Sequence, residues 1–338
     1  MKRALTLIVI LSLGIFLLGE IPIVFAERIS SIRDAKIKKY MLQLGDRKYA
    51  QRARIELLSE GGRAVPYLVA LVSGPRAKTA IKVLAIKVLG DIRDSEATDT
   101  LIEALKDDNA KIRRAAAKAL GKVGDKEAVE ALRNSIKDED PRVRLNAVRS
   151  LEQIGDASVA EALREILRDP NRNMRLYAVK GLGKMRYKAA IKELSEMTDD
   201  TSVNVRLKLT NALGSIADGA CVPALGKLIN DSSANVRLHA VKALGEIKSK
   251  DSLDILLDTI NSNDKQIRYY SAIALGKLGY NEGVPELKKL INDENTNIRV
   301  AAANSLVEIG TNDAKDALRT ILNDEISKVR IIAQEALK

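Results

Sequence analysis

The chain has 338 residues, 46% hydrophobic and 30% charged, and its 56 Lys and Arg against 45 Asp and Glu give a net charge of +11. It contains one cysteine, one histidine and no tryptophan. An intramolecular disulfide is therefore excluded, as is a zinc site built from three or four His and Cys ligands.

The first 26 residues have the pattern of a secretory signal peptide. A basic start at Lys2 and Arg3 precedes an apolar run over residues 4–18, and residues 24–26 are Val-Phe-Ala, which suits signal peptidase. We expect cleavage after Ala26, export, and a periplasmic or extracellular location. The alternative is an uncleaved N-terminal membrane anchor, although the uninterrupted run is short against the roughly 20 residues that a span needs.

Residues 27–75 show only a blurred version of the pattern that follows them. Helical runs over residues 49–58 and 64–72 are separated by Gly61-Gly62. The end units of a repeat array are atypical because they cover one end of the core. We therefore predict a degenerate, capping repeat in this region.

From residue 76 to residue 338 the sequence repeats every 31 residues. Arginines follow this period without a slip: Arg113, Arg144, Arg175, Arg206, Arg237, Arg268, Arg299 and Arg330. An aspartate lies six residues before all but one of them, where Ser262 takes its place: Asp107, Asp138, Asp169, Asp200, Asp231, Asp293 and Asp324. Such a fixed period predicts an array of one small unit copied many times.

Each repeat has the pattern of two amphipathic helices. In the copy of Arg237, positions plus 3, 4, 7 and 10 are all apolar and share a helical face with the arginine. A shorter amphipathic run follows each such helix, as over residues 128–136. Turns such as Gly124-Asp125 separate the runs, because Gly suits the left-handed residue after a helix and Asp caps the next one. The pattern predicts an all-α chain of helical hairpins, which is an α-solenoid.

The motif Asp-x5-Arg-x2-Ala-x3-Leu-Gly over residues 76–338 resembles the short HEAT-like repeats of the PBS-lyase type. Single copies depart from it: Glu152 and Val307 replace the glycine, Leu209 replaces a small residue, and Lys82 replaces the arginine. These departures affect local packing. The resemblance implies a right-handed α-solenoid of stacked antiparallel helix pairs, in which the arginine-bearing helices line the concave surface.

The repeated arginines and aspartates predict a structural ladder. An arginine on a buried helix face needs a compensating charge. We expect each arginine to pair with the aspartate six residues before it, so that stacked repeats form an internal series of ion pairs and hydrogen bonds. A ladder repeated in every copy is not a functional site.

The candidate binding surface consists of the outward positions of the arginine-bearing helices, which lie 2, 5 and 9 residues after each arginine (plus 2, 5 and 9). Up to Lys277 they hold eight Lys or Arg against one Glu. We call the following residues the basic strip: Lys118, Lys122, Arg149, Tyr177, Lys180, Lys184, Lys208, Asn211, His239, Lys242, Tyr270 and Lys277. Two interpretations stay open, a groove that binds an anionic partner with Tyr177, His239 and Tyr270 as anchors, or a solvated face of a basic protein.

Catalysis is not indicated by the residue inventory. The lone histidine, His239, and the lone cysteine, Cys221, fall on different helices with no orienting motif between them. The chain also has no His-Glu pair, whereas several such pairs hold iron in deoxyhypusine hydroxylase, a HEAT-like enzyme. We expect no enzyme activity, no cofactor and no metal.

The function favoured by these features is an exported, non-catalytic scaffold that binds another protein. The basic charge fits an anionic component of the cell envelope, whether an acidic protein, a polymer or a lipid surface. The alternative is an accessory or maturation subunit of a lyase-like enzyme, which presents a substrate without catalytic residues of its own. Nucleic acid is disfavoured because stacking aromatics and a base-reading motif are lacking. Membrane contact would need an uncleaved signal segment or surface charge, and no small-molecule substrate is evident. A further contact surface is expected at the C-terminal flank, where Ile331 and Ile332 should be partly exposed.

Overall fold

The computed structural model describes residues 35–75 and 77–338, so the predicted signal peptide lies outside the described residues. Helices joined by short turns make up these two ranges, which contain no strand. The described residues form two compact units, one that extends to residue 162 and one that covers residues 163–338. We call them unit 1 and unit 2 and describe each by itself.

Unit 1 contains a short helical region followed by the first regular repeats. Its helices are α1 Ala35–Gln43, α2 Ala50–Glu60, α3 Val65–Ser73, α4 Thr79–Ile92, α5 Thr98–Ala104, α6 Ala110–Val123, α7 Val129–Ser135 and α8 Pro141–Ile154. The longer helices α4, α6 and α8 pack against one another in sequence order, and the shorter helices α5 and α7 pack against the longer helix that follows each of them.

Unit 2 continues the same alternation of short and long helices. Helix α9 (Ala160–Glu165) contains the boundary between the units, and it is followed by α10 Arg172–Lys184, α11 Ile191–Ser195, α12 Val203–Ile216, α13 Val222–Leu228, α14 Ala234–Ile247, α15 Asp251–Thr259, α16 Lys265–Leu278, α17 Val284–Leu290, α18 Thr296–Ile309, α19 Asn312–Arg319 and α20 Ser327–Ala336. The arginine-bearing helices α10, α12, α14, α16, α18 and α20 pack in sequence order. The predicted all-α solenoid of helical hairpins is confirmed.

The turns end and start the helices as the sequence predicts. Helix α6 is followed by Gly124, whose φ of 80° is left-handed and suits a residue without a Cβ. The next residue, Asp125, accepts a hydrogen bond from the Glu127 N–H at 3.0 Å and so caps the following turn. Where glycine is missing, Ala217 and Lys248 take the same left-handed conformation.

The core is built in layers from aliphatic side chains. The leucine seven residues after each arginine is at most 1% exposed in all copies from Leu120 to Leu306. Each layer is covered by its neighbours, so the burial of apolar surface is spread along the array instead of concentrated in one centre. This explains how a chain with 3% aromatic residues forms a core.

Glycines in the last turn of the long helices set the distance between repeats. A Cβ on Gly183 of α10 would lie 2.5 Å from the Cβ of Ala212 on α12, and one on Gly245 would lie 2.8 Å from the Cβ of Ala274. These contacts are too short for carbon atoms, so the helices approach this closely only because glycine faces a small residue.

Two surface properties complete the description of the fold. Ile331 is 48% exposed and Ile332 is half-buried, in agreement with the expected exposure of this flank. Among the described helices, none combines the length and the apolar character that crossing a membrane requires.

Candidate functional site

The repeated arginines form their ion pairs with the repeat that follows them. Arg113 donates from Nε to Asp138 Oδ2 at 2.8 Å and from Nη2 to Oδ1 at 3.0 Å. Its Nη1 donates to the backbone carbonyls of Asp107 and Asp108 at 2.9 Å. The bond from Nε to Oδ2 recurs in three further pairs in unit 2: Arg175 with Asp200, Arg206 with Asp231, and Arg268 with Asp293.

This geometry corrects the expected pairing within one repeat. Asp138, Asp200 and Asp231 each give their backbone carbonyl to the arginine six residues later, while their carboxylates bind the arginine of the preceding repeat. The carboxylate is held in place by its own turn, because Asp138 Oδ1 accepts the Asp140 N–H at 2.8 Å and Asp200 Oδ1 accepts the Ser202 N–H at 2.8 Å. We call this series of bonds between repeats the ladder.

The other ladder residues show how the pattern varies. Arg237 lies 3.8 Å from Asp264, because Ser262 stands at the usual aspartate position. Arg299 lies 3.9 Å from Asp324 and 3.0 Å from Glu325. In their own turns Arg144, Arg175 and Arg330 donate to the backbone carbonyls of the aspartates six residues earlier: Asp138, Asp169 and Asp324 respectively.

The ladder carboxylates are ionised and shielded from solvent. Burial by itself would raise the pKa of Asp200, but hydrogen bonds from Arg175 and from the Ser202 N–H lower that pKa below its usual value. The hydrogen bond from Arg206 lowers the pKa of Asp231 in the same way. Side chains that are this well paired and shielded stabilise the array and offer little to a ligand.

The basic strip in unit 2 bridges neighbouring helices. His239 Nδ1 on α14 lies 2.8 Å from Asn211 Oδ1 on α12. Lys242 Nζ lies 3.9 Å from the ring centroid of Tyr270 on α16, which is a cation–π contact. Lys277 forms an ion pair with Glu246.

Exposure differs along the strip in unit 2. Lys180, Lys184, Asn211 and Lys277 are exposed, whereas Tyr177, Lys208, His239, Lys242 and Tyr270 are half-buried. Burial, and then the nearby charges of Lys242 and Lys208, lower the pKa of His239 below its ordinary value. The imidazole is therefore neutral near pH 7 and acts here as a hydrogen-bonding group, not as a cation.

In unit 1 the structure brings basic side chains together around one cavity. The cavity has a volume of about 660 Å³ and lies between α2, α4, α6 and α8. Seven of its lining residues are basic: Arg54, Lys87, Lys111, Arg114, Lys118, Lys122 and Arg142. Asp91 is the one acidic residue in the lining. We call this feature the basic cavity.

Asp91 fastens two of these cations to the wall of the cavity. Arg54 Nη2 on α2 donates to Asp91 Oδ2 at 2.6 Å, and Lys122 on α6 forms an ion pair with the other carboxylate oxygen. Burial would raise the pKa of Asp91, but the bonds from Lys122 and Arg54 keep it below its ordinary value. One ionised carboxylate thus joins three helices and leaves five cations unmatched in the lining.

Of the basic residues predicted from the sequence, Lys118 and Lys122 line the basic cavity, and Arg149 does not. Lys111 and Arg142 were not predicted because they stand two residues before the ladder arginines. This position is seven residues before position plus 5 and therefore lies on the same helical face. A helical face that includes position minus 2 from the arginine, together with positions plus 2, 5 and 9, contains both residues. In the preceding repeat Lys82 holds the arginine position, and positions plus 5 and plus 9 from it are Lys87 and Asp91. Arg54 lies where the period is blurred, and no signal pointed to it.

The distribution of charge along the chain agrees with this location. Residues 35–123 contain 19 Lys and Arg against 10 Asp and Glu, a net charge of +9. Residues 280–338 contain 8 against 10, a net charge of −2. Most of the net charge of +11 therefore belongs to the segment that supplies three of the four helices around the basic cavity.

The residues most often used in catalysis are not gathered in the part of the chain that the structure describes. Cys221 is fully buried, and burial raises the pKa of its thiol. Within the described ranges, no group of three or more His, Cys, Asp and Glu side chains is close enough to hold a metal ion.

Comparison with known families identifies the repeat. The family of HEAT repeats matches residues 65–142, 134–206, 191–268 and 256–338. These consecutive matches cover most of the sequence, and the chain belongs to the HEAT-repeat family. No curated protein is similar enough in sequence to be reported as a relative.

Solved structures share the fold at low sequence identity. An engineered protein is 20% identical, with a TM-score of 0.55 over 90% of this chain and 98% of its own. The YibA protein of Escherichia coli is 21% identical, with a TM-score of 0.49 over 71% of this chain and 91% of its own. The complex of CpcE and CpcF of phycocyanin lyase from Nostoc sp. PCC7120 is 21% identical, with a TM-score of 0.41 over 71% of this chain and 93% of that one. Similarities at this level concern the fold alone.

Proposed function

We propose that this protein is an exported, non-catalytic scaffold that binds another protein through the basic faces of its arginine-bearing helices. The partner presents an acidic surface to these faces. The observation that carries the proposal is the basic cavity, in which seven cationic side chains surround a single carboxylate. Export and a periplasmic or extracellular location belong to the proposal through the signal-peptide pattern of residues 1–26.

Electrostatics favour an anionic partner for this cavity. Arg113, Arg175, Arg206 and Arg268 are each neutralised by an aspartate, so they add little to the field at the surface. The outward cations are not neutralised in this way. Lys87, Lys111 and Lys118 are exposed and form no ion pair with a carboxylate of the described residues. Like charges gathered in one concavity raise the local potential and attract anionic ligands, an effect that salt screens over about 8 Å at physiological ionic strength.

The residue inventory supports a role without catalysis. The one histidine is neutral and hydrogen-bonded to Asn211, and the one thiol is buried with a raised pKa. Neither side chain faces the basic cavity. A general base or nucleophile would have to come from Asp91, whose carboxylate is already held by Arg54 and Lys122.

An accessory or maturation subunit of a lyase-like enzyme is the second candidate. Its support is the volume of the cavity, because about 660 Å³ lies within the range of roughly 300–1,000 Å³ that small-molecule sites occupy. A subunit of this kind would hold an anionic substrate or its acidic carrier protein for another enzyme. The two candidates differ in the fate of the partner, which a scaffold retains unchanged and an accessory subunit releases in modified form.

Capture from envelope extract tests the proposal. The bait is residues 27–338, immobilised and washed at low and at high salt, with a variant in which Lys180, Lys184, Lys208 and Lys242 are all changed to Glu and another with Lys118→Glu and Arg142→Glu. We expect a specific protein to be retained at low salt, released at high salt and lost with one of the variants. Retention that neither salt nor either variant alters would contradict binding through a basic face, and would point to the flank around Ile331.

A further inference from the structure

We infer that the basic cavity of unit 1 binds an acidic segment of the partner protein, an extended peptide that carries carboxylates on either side of an apolar side chain. The inference rests on the proposed function and gives it a place and a ligand chemistry. It separates unit 1 from the basic strip of unit 2, which the sequence alone treats as equivalent.

Three cations around the cavity have no counter-charge. Lys87 on α4, Lys111 on α6 and Arg142 on α8 are exposed, and they line the cavity from three successive long helices. None of these three side chains forms an ion pair with a carboxylate in the part of the chain that the structure describes. Arg54 Nε is buried and has no hydrogen-bond partner among the described residues. These groups offer donors in several directions, which a chain of carboxylates can satisfy together and a single small anion cannot.

Part of the cavity lining is apolar. Leu84 on α4 and Leu145 on α8 are half-buried beside the lysines and arginines. Contact with an apolar side chain would remove their remaining surface from water, which stabilises binding by about 25 cal/mol per Å². Inorganic polyphosphate has no group that could make this contact. A peptide with acidic and apolar residues provides both kinds of contact.

Nucleic acid, the other common polyanion, is a poorer match for this cavity than an acidic peptide. Proteins that bind single-stranded nucleic acid place aromatic rings against the bases, and such stacking supplies much of the affinity. None of the residues that line the basic cavity is aromatic. The charge of the cavity is therefore suited to carboxylates presented by a polypeptide more than to phosphates that carry bases.

The side chain of Asp91 shows that cations of this cavity bind a carboxylate. Its carboxylate is bound by Arg54 and Lys122 on neighbouring helices, so the cavity already contains one carboxylate in the position of a ligand group. Converting Asp91 to Asn removes the charge and frees both cations for a bound peptide. The inference thus requires a variant that binds more tightly than the natural protein, a result that damage to the fold would not produce.

The experiment measures binding of a fluorescein-labelled peptide, rich in glutamate and containing two leucines, by fluorescence anisotropy. The protein is purified in the form that the producing cell releases, with or without residues 1–26 as cleavage leaves it. The cavity variant combines Lys118→Glu with Arg142→Glu, and the matched control combines Lys184→Glu with Lys208→Glu in unit 2, which changes the net charge equally. Circular dichroism checks that each variant is folded. We expect the cavity variant to weaken binding at least about tenfold, the control to weaken it less than about threefold, and Asp91→Asn to tighten it.

Other outcomes would overturn the inference in distinct ways. Equal weakening by both double variants would show general attraction to a basic protein. Binding of polyphosphate or of vesicles containing anionic lipid with the same dependence on Lys118 and Arg142, without binding of the peptide, would assign the cavity to another ligand. If the peptide does not bind while the Lys118→Glu, Arg142→Glu bait still captures a partner from extract, the inference fails and the proposed scaffold stands on another surface. If the natural protein captures no partner either, both are rejected.

Discussion

Arg113 and Asp138 are 25 residues apart, and two parallel hydrogen bonds join the guanidinium of the one to the carboxylate of the other. Asp138 also accepts the Asp140 N–H in its own turn and gives its carbonyl to Arg144. One aspartate therefore belongs to two repeats. Such sharing couples the stability of neighbouring units, which is the nearest-neighbour term in the folding of a repeat array.

Removal of a ladder carboxylate should be costly. Asp231 is 5% exposed in its side chain, and its loss would leave the buried guanidinium of Arg206 without a counter-charge. We expect Asp231→Ala to lower the free energy of unfolding by about 3 kcal/mol, measured by urea denaturation. Asp258, an exposed residue of α15, provides the control, and Asp258→Ala should change stability by less than about 0.5 kcal/mol. Similar losses for both variants would contradict the structural role of the ladder.

The copy that lacks an aspartate offers the reverse test. Ser262 already accepts the Asp264 N–H at 3.2 Å, but it gives no carboxylate to Arg237, whose side chain is 29% exposed. Ser262→Asp should complete the ladder and raise the free energy of unfolding by about 1 kcal/mol. Asn263→Asp adds the same charge one residue away and should have a smaller effect. Thermal unfolding of the two variants measures the difference, and a gain with Asn263→Asp as large as that with Ser262→Asp would argue against a specific pair.

The single histidine makes its titration directly observable. Because burial and the charges of Lys242 and Lys208 lower the pKa of His239, the folded protein binds its proton less well than the unfolded chain, where the pKa is about 6.5. This contribution to stability is complete above about pH 6.5 and is lost as the pH falls through that value towards the folded pKa. We expect an imidazole NMR titration with a midpoint below 6.5, and a higher midpoint in Lys208→Ala. A midpoint at or above 6.5 in the natural protein would disprove the burial argument.

The close approach of long helices predicts a sharp difference between two glycines. A Cβ on Gly183 would lie 2.6 Å from the Ala212 Cα, which is backbone and cannot move aside cheaply. Gly183→Ala should therefore lower the free energy of unfolding by about 1–3 kcal/mol, although alanine favours a helix. A Cβ on Gly219 would meet its nearest atom at 3.5 Å, so Gly219→Ala should be nearly neutral. Chemical denaturation of both variants decides the point, since equal effects would exclude close packing as the cause.

The architecture could be predicted from the sequence because its signals are local and repeated. Periodic apolar positions define each helix, and Gly124-Asp125 and its counterparts define the turns. The sequence did not predict which arginine the carboxylate of each aspartate binds. Asp138 is six residues from Arg144 and 25 residues from Arg113, and the choice depends on how the turns of stacked repeats meet, which is a property of the three-dimensional arrangement.

The candidate site was predictable only in part for a related reason. Lys118 and Lys122 stand at outward positions of a regular helix and could be found by counting. The basic cavity also needs Arg54, from a region in which the period is blurred, and a wall contributed by four helices. Position within the repeat indicates which way a side chain faces, but it does not indicate where several repeats enclose a volume.

The offset of 25 residues has a consequence for how such a chain can change in length. If one whole period, residues 176–206, were removed, the sequence would place Asp231 at the same distance from Arg175 as Asp200 is now. The turn of each retained unit would keep its own carbonyls, and the new junction would repeat the chemistry of the old one. Duplication or loss of a unit in the gene would therefore need no compensating substitution, so length can vary in steps of one module while each joint stays the same.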